Sequence, residues 1–327
     1  MINSLYIKNG TPGETGIDPD RFALALGDPQ ALLWVDMEGE APQVCEPILR
    51  EIFKFHPLAI NDALYQTHVS KLDNWDSYLF IALNAIFYHQ EEGSLDTIEL
   101  DVFLGDNYII THHDLPIPAL KRAWNSVGHD LRHSGQGADH WLYKLTDELT
   151  VDYMQTVDEL DEGIEWVEDQ VFSQPTPEII QKLFALKRAT LLMRRSLSPM
   201  REVLNKLARD DYSVIDSRDQ VYFRDVYDHL VRLYDIVEGL RDMVGGALDT
   251  YLSVINNRMN EIMKTLTVIT TLFMPLSFIT GFFGMNFFMA DPPISVFTET
   301  TAFIIMLGLI IFVPLGMYSW IRRRGWM

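Results

Sequence analysis

The sequence predicts an α+β domain followed by a long α-helical stalk and two C-terminal transmembrane helices. Three observations carry this expectation. Residues 1–135 hold short apolar or alternating runs between turn residues, the pattern from Ala138 onward is almost wholly helical, and residues 261–327 lose nearly all charge.

In the first stretch, ALLWVDM (31–37), YLFIALNAIFY (78–88), ELDVFLG (99–105) and YIITHH (108–113) are apolar or alternating runs bounded by Gly, Pro and Asp, as short strands are. PILREIFKF (47–55) and PLAINDALY (57–65) have helical spacing, and 116–124 resembles another helix start. Two long amphipathic segments, 139–172 and 177–208, are broken at SQPTP (173–177), which suits an αα-hairpin turn. A third begins near Asp216, meets no breaker before Gly239, Gly245 and Gly246, and continues into the apolar region. As a single helix, 216–283 would be roughly 100 Å long. The expected organisation is therefore an α/β domain at 1–137, a helical domain at 138–260 that includes the start of the stalk, and a transmembrane domain at 261–327.

Charge sharpens the division. The chain has 26 Lys+Arg against 46 Asp+Glu, a net charge of −20, which argues against phosphate-neutralising nucleic-acid binding and favours cationic partners. Residues 261–327 contain only Glu261, Asp291, Glu299, Lys264, Arg322, Arg323 and Arg324 as charged groups. The runs 266–283 and 300–321 are uncharged, and each is long enough to cross the bilayer core. Arg322–Arg324 follow the second run, while the connection 286–299 carries only acids, so the positive-inside rule places both termini in the cytoplasm. Trp320 and Trp326 stand where an interfacial aromatic belt is expected. The start, MINSLYIKNGTPGE, has neither a basic nor an apolar region and is not expected to be a signal peptide. A lone Cys45 allows no intramolecular disulfide.

Along the first span, Asn260, Met263, Thr267, Thr270, Met274, Ser277, Gly281 and Gly284 recur at alternating spacings of three and four, and every one is polar, small or thioether. Such a stripe has two readings: close helix packing through small residues, or the lining of an axial pore. The hydroxyls at mid-span and an Asn at each end favour the pore, which would need several copies in a ring. Neither span contains Asp, Glu or His, so an intramembrane proton relay is not expected. Amide and hydroxyl oxygens suit an ion that keeps its water, as Mg²⁺ does.

The stretch MKTLTVITTLFMPLSFITGFFGMNF (263–287), with Gly284-Met285-Asn286 just past the first of two C-terminal spans, closely resembles the CorA family of magnesium and cobalt channels. HPLAINDAL (56–64), HVSKLDNWDSYLFIAL (68–83), MRRSLSPMREVLNKL (193–207), YFRDVYDHL (222–230) and GGALDTYLS (245–253) look like family segments in the family's order. The resemblance implies a funnel-shaped homopentamer in the inner (plasma) membrane, with the lipid bilayer, divalent cations and its own copies as partners. It also implies a filter in which Asn286 accepts hydrogen bonds from ion-bound water while Gly284 and Met285 shape the turn. Asn260, Met263, Met274, Ser277 and Gly281 would face the pore, the Met residues forming a hydrophobic constriction. Mg²⁺ would be both the transported and the regulatory ion. Asp62 and Asp249 match the family's principal pair of inter-protomer regulatory ligands, and Asp152 and Asp225 match contributors to a second site. That second site is one carboxylate poorer here, because Asn61 stands where Glu is common. Phe288 likewise replaces an acid often found just after the motif, which weakens cation steering at the mouth.

His112-His113-Asp114 sits at the end of a strand-like run before LPIP, and no second cluster has ligand spacing, so a structural role is expected. The ten acids between Asp147 and Asp169 read as a solvated helix face that could also concentrate Mg²⁺. No Walker A loop, G-x-S-x-G or dinucleotide fingerprint occurs, so neither an enzyme nor an organic cofactor is expected. Two alternatives accompany the Mg²⁺ channel: a Zn²⁺, Co²⁺ or Ni²⁺ transporter on the same fold, with or without proton coupling, and a membrane-anchored sensor or scaffold.

Overall fold

A computed structural model describes residues 1–8, 13–66, 69–90, 92–129, 136–284 and 300–325. The chain divides into two compact units, Met1–Asp249 and Thr250–Met327, and the division falls inside one helix.

The first unit is built on seven strands: β1 (Ile2–Lys8), β2 (Glu14–Thr15), β3 (Ala31–Glu38), β4 (Lys71–Asn74), β5 (Leu79–His89), β6 (Ser94–Leu104) and β7 (Tyr108–His113). Their order in the sheet is β2-β1-β3-β7-β6-β5-β4. β3 and β7 run parallel, whereas the other pairings are antiparallel. Strands β3, β5, β6 and β7 grow from the four apolar runs. β2 and β4 are too short to show a period, and β1 has the polar pair Asn3–Ser4 directly after Ile2, so none of the three stands out in the sequence.

Helices α1 (Phe22–Leu26), α2 (Pro42–Pro47) and α3 (Pro57–Tyr65) lie on one face of the sheet. The helical spacing at 47–55 resolves into the end of α2 and a π-helical turn at Ile48–Ile52. Phe22, Leu49, Phe55 and Ile60 meet Leu33, Val35, Met37, Phe80, Phe103 and Ile110 in one buried core. Phe55 stacks on Phe103 with ring centroids 4.3 Å apart.

Strand alternation sends Trp34 to the opposite face, where it meets Trp124 and Trp141. These belong to α4 (Pro118–His129) and α5 (Ala138–Ser173), which with α6 (Pro177–Arg209) cover that second face. Cover on both sides explains the near-continuous apolar sequences of β3 and β7. Tyr153 of α5 fixes the contact by donating to the carbonyl of Asn84 at 2.9 Å. The final long helix, α7 (Gln220–Gly284), starts where Asp139 accepts the N–H of Asp216 at 2.8 Å and His140 Nδ1 stands 2.9 Å from Asp219 Oδ1. It passes through Gly239, Gly245 and Gly246 unbroken, although each glycine costs about 1 kcal/mol relative to alanine.

The second unit comprises the distal part of α7 and α8 (Thr300–Arg323). Both helices carry stretches long and apolar enough to cross a membrane. Phe278 is 73 % exposed and Phe312 74 %, so these stretches are not a hairpin buried in a soluble core. Helices suit hydrocarbon because their peptide groups are satisfied within the segment.

Within the sheet, Asp101 and His112 are paired residues of β6 and β7. Both are buried, His112 Nδ1 stands 3.7 Å from Asp101 Oδ2, and Asp101 Oδ1 lacks a hydrogen-bond partner among the described residues. Burial, reinforced by the charge of Glu99, pushes the Asp101 carboxyl well above the usual carboxylate range. Burial lowers His112 against the pull of Asp114, so in both groups burial disfavours the charged form.

Two outcomes follow for the purified full chain. Phe103→Ala should cost about 3–5 kcal/mol, read from denaturant unfolding, because it empties the centre of the core. Asp101 has a raised folded-state pKa, so its contribution to stability is complete below about pH 4 and is lost as pH rises toward the folded value. Asp101→Asn, which cannot ionise, should therefore melt progressively higher than the parent chain as pH rises above about 4; a constant difference would contradict this.

Candidate functional site

The stripe on α7 can be followed atom by atom. Asn260, Met263, Thr267, Thr270, Met274, Ser277, Gly281 and Gly284 are all exposed in the single chain, and their spacing puts them on one helix face. Ile262, Leu266, Phe273 and Phe278 are exposed as well, so composition, not exposure, distinguishes the stripe. Thr267 Oγ1 donates to the carbonyl of Met263 at 2.7 Å, and Thr270 Oγ1 to that of Leu266 at 2.9 Å. With the hydroxyl protons turned back to the helix, each oxygen retains lone pairs for an acceptor role. Thr265 and Thr280, off the stripe, bond in the same way. Gly284 ends α7, whereas Met285 and Asn286 of the expected filter lie outside the described residues.

The four acids expected to bind regulatory ions sit on three helices. Asp62 of α3 is half-buried and ion-paired with Lys71 of β4, which also reaches Asp73 at 3.1 Å. Burial opposes the charge on Lys71, yet the two carboxylates outweigh it and raise its pKa. Asp152 of α5 accepts a hydrogen bond from Arg122 of α4, whose Nε also binds Glu148 at 2.7 Å. Burial raises the Asp152 carboxyl while Arg122 pulls it down, and burial wins. Asp225 and Asp249 are exposed on α7. Asp225 adds its field to that of burial in raising the Asp147 carboxyl of α5. Among the described residues, none of the four joins a group of three potential metal ligands within the chain.

One such group does form elsewhere. Asp36 and Glu38 of β3 and His113 of β7 bring three ligand atoms within 4.8 Å of one another. The parallel register sets Glu38 beside His113 and Asp36 beside Thr111, and the period of two turns all four to the same face. His113 Nδ1 donates to the Leu115 carbonyl at 2.6 Å, and Nε2 stands 3.1 Å from Asp36 Oδ1. Asp36 Oδ1 also accepts from Thr111 Oγ1 at 2.7 Å, and Trp34 Nε1 donates to that hydroxyl at 3.1 Å. Burial disfavours a charge on His113, but the hydrogen bond to Asp36 and its negative charge prevail and raise the imidazole pKa. A cavity of about 860 Å³ opens on all three side chains, lined also by Ser4, Lys121 and Asn125. In the sequence His113 reads as a strand-end residue because its partners lie some 75 positions earlier. The available signal was the pair of acids at i and i+2 in an otherwise apolar strand.

Comparison with known proteins bears on the whole chain. The family model described as CorA-like Mg²⁺ transporter protein matches residues 29–323. The cobalt/magnesium transport protein CorA of Thermotoga maritima is 34 % identical over 269 residues, covering 81 % of this chain and 76 % of that protein. The zinc transport protein ZntB of Yersinia pseudotuberculosis is 22 % identical over 328 residues, covering 98 % and 95 %. Among solved structures, the CorA magnesium transporter of Methanocaldococcus jannaschii superposes with a TM-score of 0.80 at 21 % identity, covering 99 % of this chain and 98 % of that one. The α+β unit, the long helix and the two apolar C-terminal helices thus share the fold of a full-length transporter, and the chain belongs to the CorA-like family of divalent metal-ion transporters, which are not enzymes.

Proposed function

We propose that this chain forms a channel for hydrated Mg²⁺, also admitting Co²⁺, driven by membrane potential and closed by Mg²⁺ on its cytoplasmic side. The observation that carries the proposal is the uncharged stripe of α7, which offers amide, hydroxyl and thioether groups and runs into Gly284-Met285-Asn286. A hydrated divalent ion needs acceptors for the protons of its water, and Thr267 and Thr270 present lone pairs because their own protons are used within the helix. Five copies would surround the pore as a funnel-shaped homopentamer in the inner membrane, with both termini cytoplasmic. Residues 1–137 and 138–260 would serve as the cytoplasmic α/β and helical parts, and 261–327 as the membrane part. Asn286 would select the ion at the outer mouth. Asp62 and Asp249 would share a regulatory ion between protomers, with Asp152 and Asp225 contributing to a second. Lys71 and Arg122 already neutralise Asp62 and Asp152 in the single chain, so ion binding at either position must compete with an internal cation.

Zn²⁺ transport is the second reading, favoured by the full-length likeness to a zinc transport protein. Uptake into proteoliposomes separates the two. Mg²⁺ entry that follows an inside-negative potential and ignores a pH gradient is expected, whereas Zn²⁺ entry enhanced by a proton gradient would transfer the chain to the second reading. A chain that moves neither ion would be a scaffold. In the same vesicles Asn286→Ala should reduce selective Mg²⁺ entry to the level of protein-free controls; normal selective entry would refute the filter. Asp249→Ala should leave entry intact and raise the Mg²⁺ concentration needed for closure by about tenfold, equivalent to about 1.4 kcal/mol.

A further inference from the structure

We propose that Asp36, Glu38 and His113 form a binding site for a borderline transition-metal ion of the Zn²⁺ or Co²⁺ class, separate from the carboxylates assigned to Mg²⁺. The donor set is one imidazole and two carboxylates. Imidazole suits Zn²⁺, Co²⁺ and Ni²⁺, whereas Mg²⁺ takes oxygen almost exclusively.

The geometry already has the supporting bonds of a metal site. The hydrogen bond from His113 Nδ1 to the Leu115 carbonyl fixes the ring so that Nε2 faces the two acids. That is the arrangement by which a ligating imidazole is oriented from its far side. Asp36 is held by Thr111, and Thr111 by Trp34, so the carboxylate is oriented from a second strand and a buried indole. Gly39, at a φ of +60°, lets the end of β3 approach β7, where a Cβ would stand 3.2 Å from the Asp114 carbonyl. Its N–H donates to the His113 carbonyl at 2.8 Å, locking the two strand ends together.

The approach is equally suited. Bonds of about 2.0–2.2 Å put neighbouring ligands of a tetrahedral ion roughly 3.3–3.6 Å apart, so three atoms within 4.8 Å need only small side-chain movement to close on one. The 860 Å³ cavity admits the ion and leaves its remaining position to water. Glu38 lies at the edge of the site, half-buried, while Asp36 and His113 form its buried wall. The position, at the carboxyl ends of the sheet's parallel pair, is where open α/β sheets hold ligands. On binding, Nε2 gives its lone pair to the ion, any proton it carries leaving to solvent, and the Nδ1–H bond to Leu115 is kept.

The test is a Co²⁺ titration of the chelator-stripped full-length protein in detergent, with millimolar Mg²⁺ present, followed by visible d–d absorption. Binding is read without transport, so the result stands whatever the flux experiments give. One Co²⁺ per chain is expected, displaced by Zn²⁺ and retained in the Asp62→Ala/Asp249→Ala double variant. Glu38→Gln, at the accessible edge, and His113→Gln should each weaken binding by at least about tenfold. Because the buried histidine change can prevent folding, Glu38→Gln is decisive, with a parent-like melting curve in chelator as its control. Absence of the Co²⁺ bands, or bands unchanged in Glu38→Gln, would overturn the proposal.

Discussion

Peptide groups that enter hydrocarbon must be satisfied inside their own segment, and α7 is the element on which this requirement falls most heavily. Its 65 residues form one helix that starts among the buried polar contacts of the first unit and ends at Gly284. Continuity gives the stripe its regularity: a break would rotate the positions beyond it out of register. It also explains why three glycines are tolerated. Helix formation is cooperative over such a length, and the local loss at each glycine is spread over a long hydrogen-bonded ladder.

The first unit answers a different constraint. A sheet covered on both faces leaves little room for polar side chains, yet β3, β6 and β7 place Asp36, Asp101, His112 and His113 in its interior. The adjacent histidines point to opposite faces, and each meets an aspartate there under different terms. Burial disfavours the charged forms of Asp101 and His112, and among the described residues Asp101 Oδ1 and His112 Nδ1 lack a hydrogen-bond partner. Asp36 and His113 are held by a chain of donors reaching Trp34, and the bond to Asp36 raises the imidazole pKa. Strand alternation thus moves the pKa values of two neighbouring histidines in opposite directions.

Much of this was legible in the sequence where periodicity runs long. The amphipathic spacing of 139–172 and 177–208 became α5 and α6, and the uncharged runs became the apolar parts of α7 and α8. Fine detail was not legible: β2 has only two residues, and the helical spacing at 47–55 does not distinguish a π-helical turn from an α-helix. The Asp36–Glu38–His113 group was hidden for a further reason, since nothing local specifies that β3 and β7 become parallel neighbours across some 70 intervening residues. The GMN motif shows the converse, being conspicuous in the sequence while two of its three residues lie outside the described structure.

In the proposed channel the back-bonded threonines have a consequence for the sign of the permeating ion. Water around a cation turns its hydrogens outward, whereas water around an anion turns its oxygens outward. At the level of Thr267 and Thr270 a wall whose hydroxyl protons are committed to backbone carbonyls can receive the first kind of hydration shell and offers nothing to the second. In the proposed channel, anions would be turned away by the orientation of their own water, with no fixed charge placed in the membrane.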